Sequence, residues 1–335
     1  MHTDPVRHPQ PLAGRVAVVA GATRGAGRGI ARALAEAGAV VYCTGRSVPG
    51  RPSPYGRPET IDETAQLIES AGGTAIAVRV DHTVEQEVEA LFARVDAEHG
   101  RLDILVDSVA GEDPLMRDWG AFWETRLDNG LEILRQSLLS RIITAKHAAQ
   151  RMVRARRGLI VEVTENDLMD SSGNLVVQSV RLAHKGLALN MAAGLMQHGV
   201  AALAVTPGFL RSESMLEHFG VTEATWRDGG AQDRNFLESE SPLYVGRAVA
   251  ALAADPHILD RTGQLVSSWQ CAREYGLYDY DGRRPDWGAL AIDFSMLPES
   301  LMTHLRAGLG LQLTWLETVA KRTRAYLAKL PPARG

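Results

Sequence analysis

The sequence predicts a doubly wound α/β fold: a seven-stranded parallel sheet with helices on both faces and a C-terminal extension. Three observations carry this. Short apolar runs alternate with helical stretches, the order that gives parallel strands joined by helical crossovers. The first apolar run passes directly into a glycine-rich turn that opens a helix. The 335 residues, 45% of them hydrophobic, can bury a core large enough to cover such a sheet.

The expected strands, in order, are "VAVVA" (16–20), "VVYCT" (40–44), "AIAVRV" (75–80), "LDILV" (102–106), "LIVEV" (159–163), "AALAVT" (201–206) and "GQLVSS" (263–268). Helical stretches such as "GIARALAEAG", "IDETAQLIESAG" and "VEQEVEALFARVDAEHG" lie between them. Two insertions interrupt the alternation, near 112–134 and 209–241. The chain divides into an N-terminal arm (1–13), the sheet domain (14–270) and an extension (271–335). The extension starts with "CAREYGLYDYDGRRPDWG" and carries an amphipathic helix near 311–330. No internal repeat is visible.

Composition narrows the function classes. The net charge is −4, with no basic block, so nucleic acid is not an expected partner. The first stretch, "MHTDPVRHPQPLAG", lacks the apolar core of a signal peptide. No apolar run reaches the roughly 18 residues of a membrane span. A cytoplasmic location is expected. Of the two cysteines, Cys43 sits in an expected strand as a small core residue, and neither a disulfide nor a metal site is expected.

The first strand runs into "AGATRGAGRGIARALAEAG". Gly21, Gly25 and Gly27 allow a tight turn and let backbone N–H groups approach a pyrophosphate at a helix N-terminus. In strand–turn–helix context this marks a Rossmann-type nucleotide site. The second strand ends "CTGRS", with Gly45, Arg46 and Ser47 where an NAD site usually carries an acid for the ribose 2′-OH. Arg24 lies inside the glycine loop. Two guanidiniums at this end of the sheet favour a 2′-phosphate, hence NADPH/NADP+.

These pieces resemble the short-chain dehydrogenase/reductase family over about residues 14–270. "GATRGAG", "VRVDHT" with Asp81, "LDILVDSVAG" and "VTPGFLRSE" match its motifs. "VYCTGRS", "AFWE", "ALAADPHIL" and "AREYGLYDYDGRRPDWG" are similar to a subgroup of it represented in mammals. The resemblance implies cofactor contacts from Gly21, Thr23, Arg24, Gly25, Ala26 and Gly27 in the loop, and from Arg46 and Ser47. Asp81 and His82, Ala110 and Gly111, Arg181, and Pro207, Gly208 and Phe209 complete the implied set. It also implies a homodimer or homotetramer built through the long helices on either side of "LIVEV".

That family uses a Ser, a Tyr and a Lys, with an Asn assisting. Counting forward from Thr164 by the family's Ser-to-Tyr spacing lands on Val177. Counting back from Pro207 lands on Arg181 in place of the Lys, and the two counts agree. Gln136 stands near the Asn position, and Asp107 replaces the first Asn of the turn. None of the seven tyrosines is followed by Lys four residues on. Thr164 keeps a hydroxyl, but Arg181 cannot relay a proton, because guanidinium does not deprotonate. General acid catalysis is worth about 10²–10⁴-fold, so the missing tyrosine is a large loss for carbonyl reduction.

Three readings remain open. An imine or iminium reductase needs no acid when its substrate already carries the proton, and a cationic substrate would suit the carboxylates Glu165, Asp167 and Asp170, with Glu112 and Asp113 nearby. A carbonyl reductase could use Glu165 or Asp167 with a raised pKa. A non-catalytic NADP(H)-binding protein needs neither. The candidate catalytic positions are therefore Thr164, Glu165, Asp167, Val177 and Arg181, with no metal. For each acid the plain alternative is a solvated loop or a helix cap. Trp119, Trp123, Trp226 and Phe209 either line an apolar pocket for a bulky small-molecule substrate or pack the insertions.

Overall fold

The computed structural model describes residues 10–52, 56–110, 115, 122–124, 126–165 and 174–289. Its seven strands are β1 (Val16–Ala20), β2 (Val40–Gly45), β3 (Thr74–Arg79), β4 (Ile104–Asp107), β5 (Gly158–Val163), β6 (Val200–Thr206) and β7 (Leu265–Ser267). They form one sheet in the order β3-β2-β1-β4-β5-β6-β7, with every neighbouring pair parallel. Each strand coincides with one of the apolar runs. The order reverses between β1 and β4, and in such sheets ligands bind outside the carboxyl ends at this switch point.

The helices are α1 (Gly25–Glu36), α2 (Ile61–Ser70), α3 (Glu85–His99), α4 (Leu127–Leu134), α5 (Ser140–Ala155), α6 (Leu175–Leu195), α7 (Glu213–His218), α8 (Pro242–Ala254) and α9 (Ser268–Tyr275). A π-helical turn, Arg135–Leu139, joins α4 to α5. Side chains alternate across the strands. Ala17, Val19, Val106 and Val161 pack against α1 and α8 on one face. Val18, Leu105 and Ile160 pack against α3 and α5 on the other. A β-carbon on Gly246 of α8 would lie 2.3 Å from the Gly29 carbonyl oxygen of α1, so these two helices touch through their backbones.

The described residues up to Trp287 form one compact unit. The expected division at residue 270 falls inside α9, where Cys271 and Ala272 are core residues. The extension therefore contributes to the sheet unit before it leaves it. Leu12, assigned to the arm, is also fully buried, and its N–H bonds the Ala37 carbonyl at 2.9 Å. The amphipathic helix expected near 311–330 lies outside the described residues. Among the described residues no helix is long and apolar enough to cross a membrane.

Candidate functional site

The carboxyl ends of β1, β2 and β3 open onto a cleft. Gly21, Thr23, Arg24, Arg46, Ser47, Asp81, His82 and Ala110 line it, all of them expected cofactor contacts. Gly45, Val80, Thr83, Val109 and Gln136 complete the wall. The glycine loop fits a dinucleotide. Gly21 has φ +82°, and a β-carbon there would lie 2.5 Å from the Ser108 carbonyl oxygen. A β-carbon on Gly27 would lie 2.1 Å from the Gly21 carbonyl oxygen. Glycine at both places lets the chain turn under a pyrophosphate and pack α1 onto the strand.

The positive end of α1 already meets a carboxylate. The Gly25 N–H donates to Glu213 Oε2 at 2.7 Å, and Arg28 pairs with Glu213 Oε1 at 3.3 Å. Glu213 opens α7, just beyond the Pro-Gly segment, and Ser212 caps that helix beside Gly25.

At the ribose end, Arg46 reaches across the cleft and donates to Gln136 Oε1 at 3.3 Å. Gln136 sits on the π-helical turn, so it faces the cofactor cleft. Asp81 accepts from the Thr83 N–H at 2.9 Å and the Thr83 hydroxyl at 2.7 Å. Burial raises its pKa, but the Thr83 bonds and the Arg46 and Arg135 charges outweigh it, so the net shift is downward. Asp81 stays ionised and the cleft keeps its positive partners. His82 is a buried strut between Thr44 Oγ1 (2.8 Å) and Thr144 Oγ1 (2.9 Å), and burial lowers its pKa to about 4.

At the far end of the sheet, the Gly208 N–H donates to Glu240 Oε2 at 2.9 Å, and Ser268 Oγ donates to the same oxygen at 2.6 Å. Burial pushes Glu240 up to about 8. Glu240 therefore holds the Pro207–Gly208 turn from behind. The Phe209 ring meets Phe236 and Trp287 edge-on and Phe219 at a tilt, and its carbonyl accepts from the Glu240 N–H. The Phe209 side chain therefore belongs to an aromatic cluster behind the Pro207–Gly208 turn. Trp226, a pocket candidate, is likewise buried, with Arg211, Arg227 and Arg283 over its ring.

The catalytic candidates divide. Thr164 is buried just past β5, and its hydroxyl has no hydrogen-bond partner among the described residues. Val177 is 4% exposed and packs with Ile133 and Val180. Arg181, one turn further along α6, forms an ion pair with Glu165. The Glu165 side chain is 60% exposed. Glu165, one of the expected acid candidates, thus faces solvent and meets the Arg181 guanidinium. Asn174 caps α6, its side chain accepting from the Val176 and Val177 N–H groups. Gly111, Glu112, Asp113, Trp119, Asp167 and Asp170 lie outside the described residues.

Sequence reasoning passed over a buried cluster. Asp107 and Glu162 are adjacent across β4 and β5. Arg141 of α5 donates to Glu162 Oε2 at 2.8 Å, to the Asp107 carbonyl at 2.9 Å and to the Val109 carbonyl at 3.0 Å. The signal was present: "LIVEV" puts one acid into an otherwise apolar strand. The five described tyrosines stand away from this region. Tyr42, Tyr244, Tyr275 and Tyr280 bond Glu98, the Pro285 carbonyl, Asp255 and Glu223, while Tyr278 lies beneath Arg284.

Comparison with known proteins follows this geometry. The family profile described as short chain dehydrogenase matches residues 15–220. Dehydrogenase/reductase SDR family member 1 of Mus musculus is 37% identical over 278 residues, covering 82% of this chain and 85% of its own. The Homo sapiens protein of that name is 35% identical over 322 residues, covering 95% and 97%. The crystal structure of an actinorhodin polyketide ketoreductase with NADPH superposes with a TM-score of 0.62 at 22% identity, covering 78% of this chain and 97% of that one.

Proposed function

This chain belongs to the short-chain dehydrogenase family, and on that premise we propose that it is an NADP(H)-dependent reductase of imine or iminium substrates. Members of the family are oxidoreductases that use a nicotinamide cofactor, which supplies the hydride when bound. One observation carries the finer reading. The position of the family's acid is filled by Val177, sealed in an apolar cluster with Ile133 and Val180. A C=N bond that is already protonated can be reduced without that acid.

The chain's own groups then have distinct tasks. The glycine loop, with Gly25, Ala26 and Gly27, holds the pyrophosphate. Arg24, Arg46 and Ser47 take the 2′-phosphate, and Asp81 takes the adenine. Arg181 bonds the second ribose, and Pro207 and Gly208 orient the nicotinamide. Thr164 orients the substrate. Reduction of a ketone or aldehyde is the second reading, favoured by the buried carboxyl groups behind Thr164. The same proposal makes the protein a homodimer or homotetramer joined through α5 and α6.

The test is NADPH consumption against matched cyclic imines and ketones, with NADPH and NADH binding titrated in wild type and Arg46→Ala. Charge-assisted hydrogen bonds of about 1.5–3 kcal/mol mean that Arg46→Ala weakens NADPH roughly 10–100-fold and NADH little. Turnover of imines alone supports the leading reading. Ketone turnover supports the second. Binding without turnover moves the protein to the non-catalytic class, and failure to bind either nucleotide overturns the reductase proposal.

A further inference from the structure

Three buried oxygens at the carboxyl end of the sheet have no partner among the described residues: Asp107 Oδ2, Glu162 Oε1 and Thr164 Oγ1. They leave one face of the sheet. Asp107 and Glu162 are register partners on β4 and β5. Thr164 stands two residues past Glu162, and its N–H still bonds the Val205 carbonyl at 2.9 Å, so the backbone remains extended. Two residues of strand span about 7 Å, a gap that one bridging water closes where polar groups line it.

The charges in this pocket do not balance. Asp107 comes from β4, Glu162 from β5 and Arg141 from α5, the last held by Glu162 and two carbonyls. His184 faces it from α6, bonded to the Ser137 carbonyl at 2.9 Å, and burial and the Arg141 charge keep it neutral. Arg181 lies one turn away on α6 and is paired with Glu165. Two carboxyl groups therefore share one guanidinium in a buried site, where both do not ionise together. Burial raises both, and the Asp107 charge raises Glu162 further. Arg141 donates to Glu162 Oε2, which leaves the unpartnered Oε1 as the oxygen to carry a proton, two residues before Thr164 on the same face.

We propose that Glu162 is the proton source of this site and delivers its proton to the substrate through the Thr164 hydroxyl. The proposal rests on the reductase reading and places in the strand an acid that the family places on the helix. With a neutral imine, the C=N carbon accepts the hydride and its π pair moves to nitrogen. The nitrogen forms an N–H bond with the Thr164 Oγ1 proton. Thr164 recovers a proton from Glu162, directly or over one water, and Glu162 is left as a carboxylate paired to Arg141. A solvent proton resets it. The sum is imine, NADPH and one proton giving amine and NADP+.

Infrared difference spectra read the buried acid without turnover. Near neutral pH the wild-type minus Glu162→Gln difference should show the C=O stretch of a protonated carboxyl group, the acid band, with the Glu240 contribution common to both proteins cancelling, and Thr164→Val should retain it. Stopped-flow assays then compare a 2-substituted pyrroline with its N-methyl pyrrolinium, which needs no proton. In both variants the pyrroline-to-pyrrolinium rate ratio should fall on the order of 10²-fold. Wild type without the acid band overturns the proposal. An acid band with turnover and an unchanged ratio overturns the Glu162 assignment alone. An acid band with turnover of neither substrate overturns the reductase reading, and the donor role falls with it.

Discussion

Position 177 shows how one side chain changes both the chemistry and the shape of a site. Val177 fills a hole between Ile133 and Val180, beneath the Asn174 cap of its own helix. A tyrosine there would have to push a ring and a hydroxyl into that apolar cluster. Overpacking of this kind costs about 1–3 kcal/mol, and an unpaired buried hydroxyl adds to it. Val177→Tyr, alone or with Arg181→Lys, is expected to lower the thermal midpoint without creating ketone reduction. Ketone turnover at an unchanged midpoint would show a site that still accommodates the family's acid. Spacing alone located this position, because two counts from separate motifs met there. The fate of its neighbour Glu165 was not legible: only the structure shows that side chain exposed and paired to Arg181.

At the scale of elements, the glycine loop was legible because its constraints are local. Gly21 and Gly27 lie within one strand–turn–helix unit, and the contacts that exclude their side chains come from that unit and the adjoining β4 turn. The carboxylate that caps the loop was not legible. Glu213 is 188 residues from Gly25 in sequence, and nothing in "RSESMLEHF" marks it as a partner of α1. Its position has a consequence. A pyrophosphate at the α1 N-terminus competes with the Glu213 carboxylate for the Gly25 N–H and the Arg28 guanidinium. Removing that charge relieves repulsion against the incoming phosphates and frees a donor. Glu213→Gln should therefore bind NADPH about 3–10-fold more tightly, for an interaction of roughly 1 kcal/mol. Calorimetric titration at fixed ionic strength measures this, and equal or weaker binding would mean that α7 moves aside at no cost. The π-helical turn at Arg135–Leu139 was also beyond sequence reasoning. Gln136, which a count placed near the family's Asn position, stands on this turn and accepts from Arg46.

Across the whole molecule, the strands were legible because each is an apolar run buried on both faces, whereas the tail was legible only as a composition. "YDYDGRR" folds back on the second insertion through long-range pairs. Asp279 accepts from the Ser241 N–H at 2.8 Å, Tyr280 donates to Glu223 at 2.6 Å, and Arg283 donates to the Leu237 and Ser239 carbonyls at 2.9 and 3.0 Å. Those contacts leave the opposite flank of the sheet, formed by α5 and α6, with its apolar surface uncovered among the described residues. Ile142, Leu182 and Leu189 are 45%, 43% and 59% exposed. Ile142, Ala149 and Val153 of α5 face Leu187, Met191 and Leu195 of α6 across a shared groove. Exposed apolar surface of this kind marks an association site. A two-fold pairing of one helix pair on another copy would cover it with the same residues from both partners. Small residues in the groove, Ala145, Ala149 and Gly194, allow close helix approach. A stable interface needs about 800 Å² from each partner, within reach of two long helices side by side. Ile142→Glu with Leu189→Glu would bury two unpaired charges per subunit on association. Sedimentation equilibrium should therefore find an oligomer in wild type and a monomer in the double variant. A monomeric wild type, or a variant that still assembles, would place any interface elsewhere on the surface.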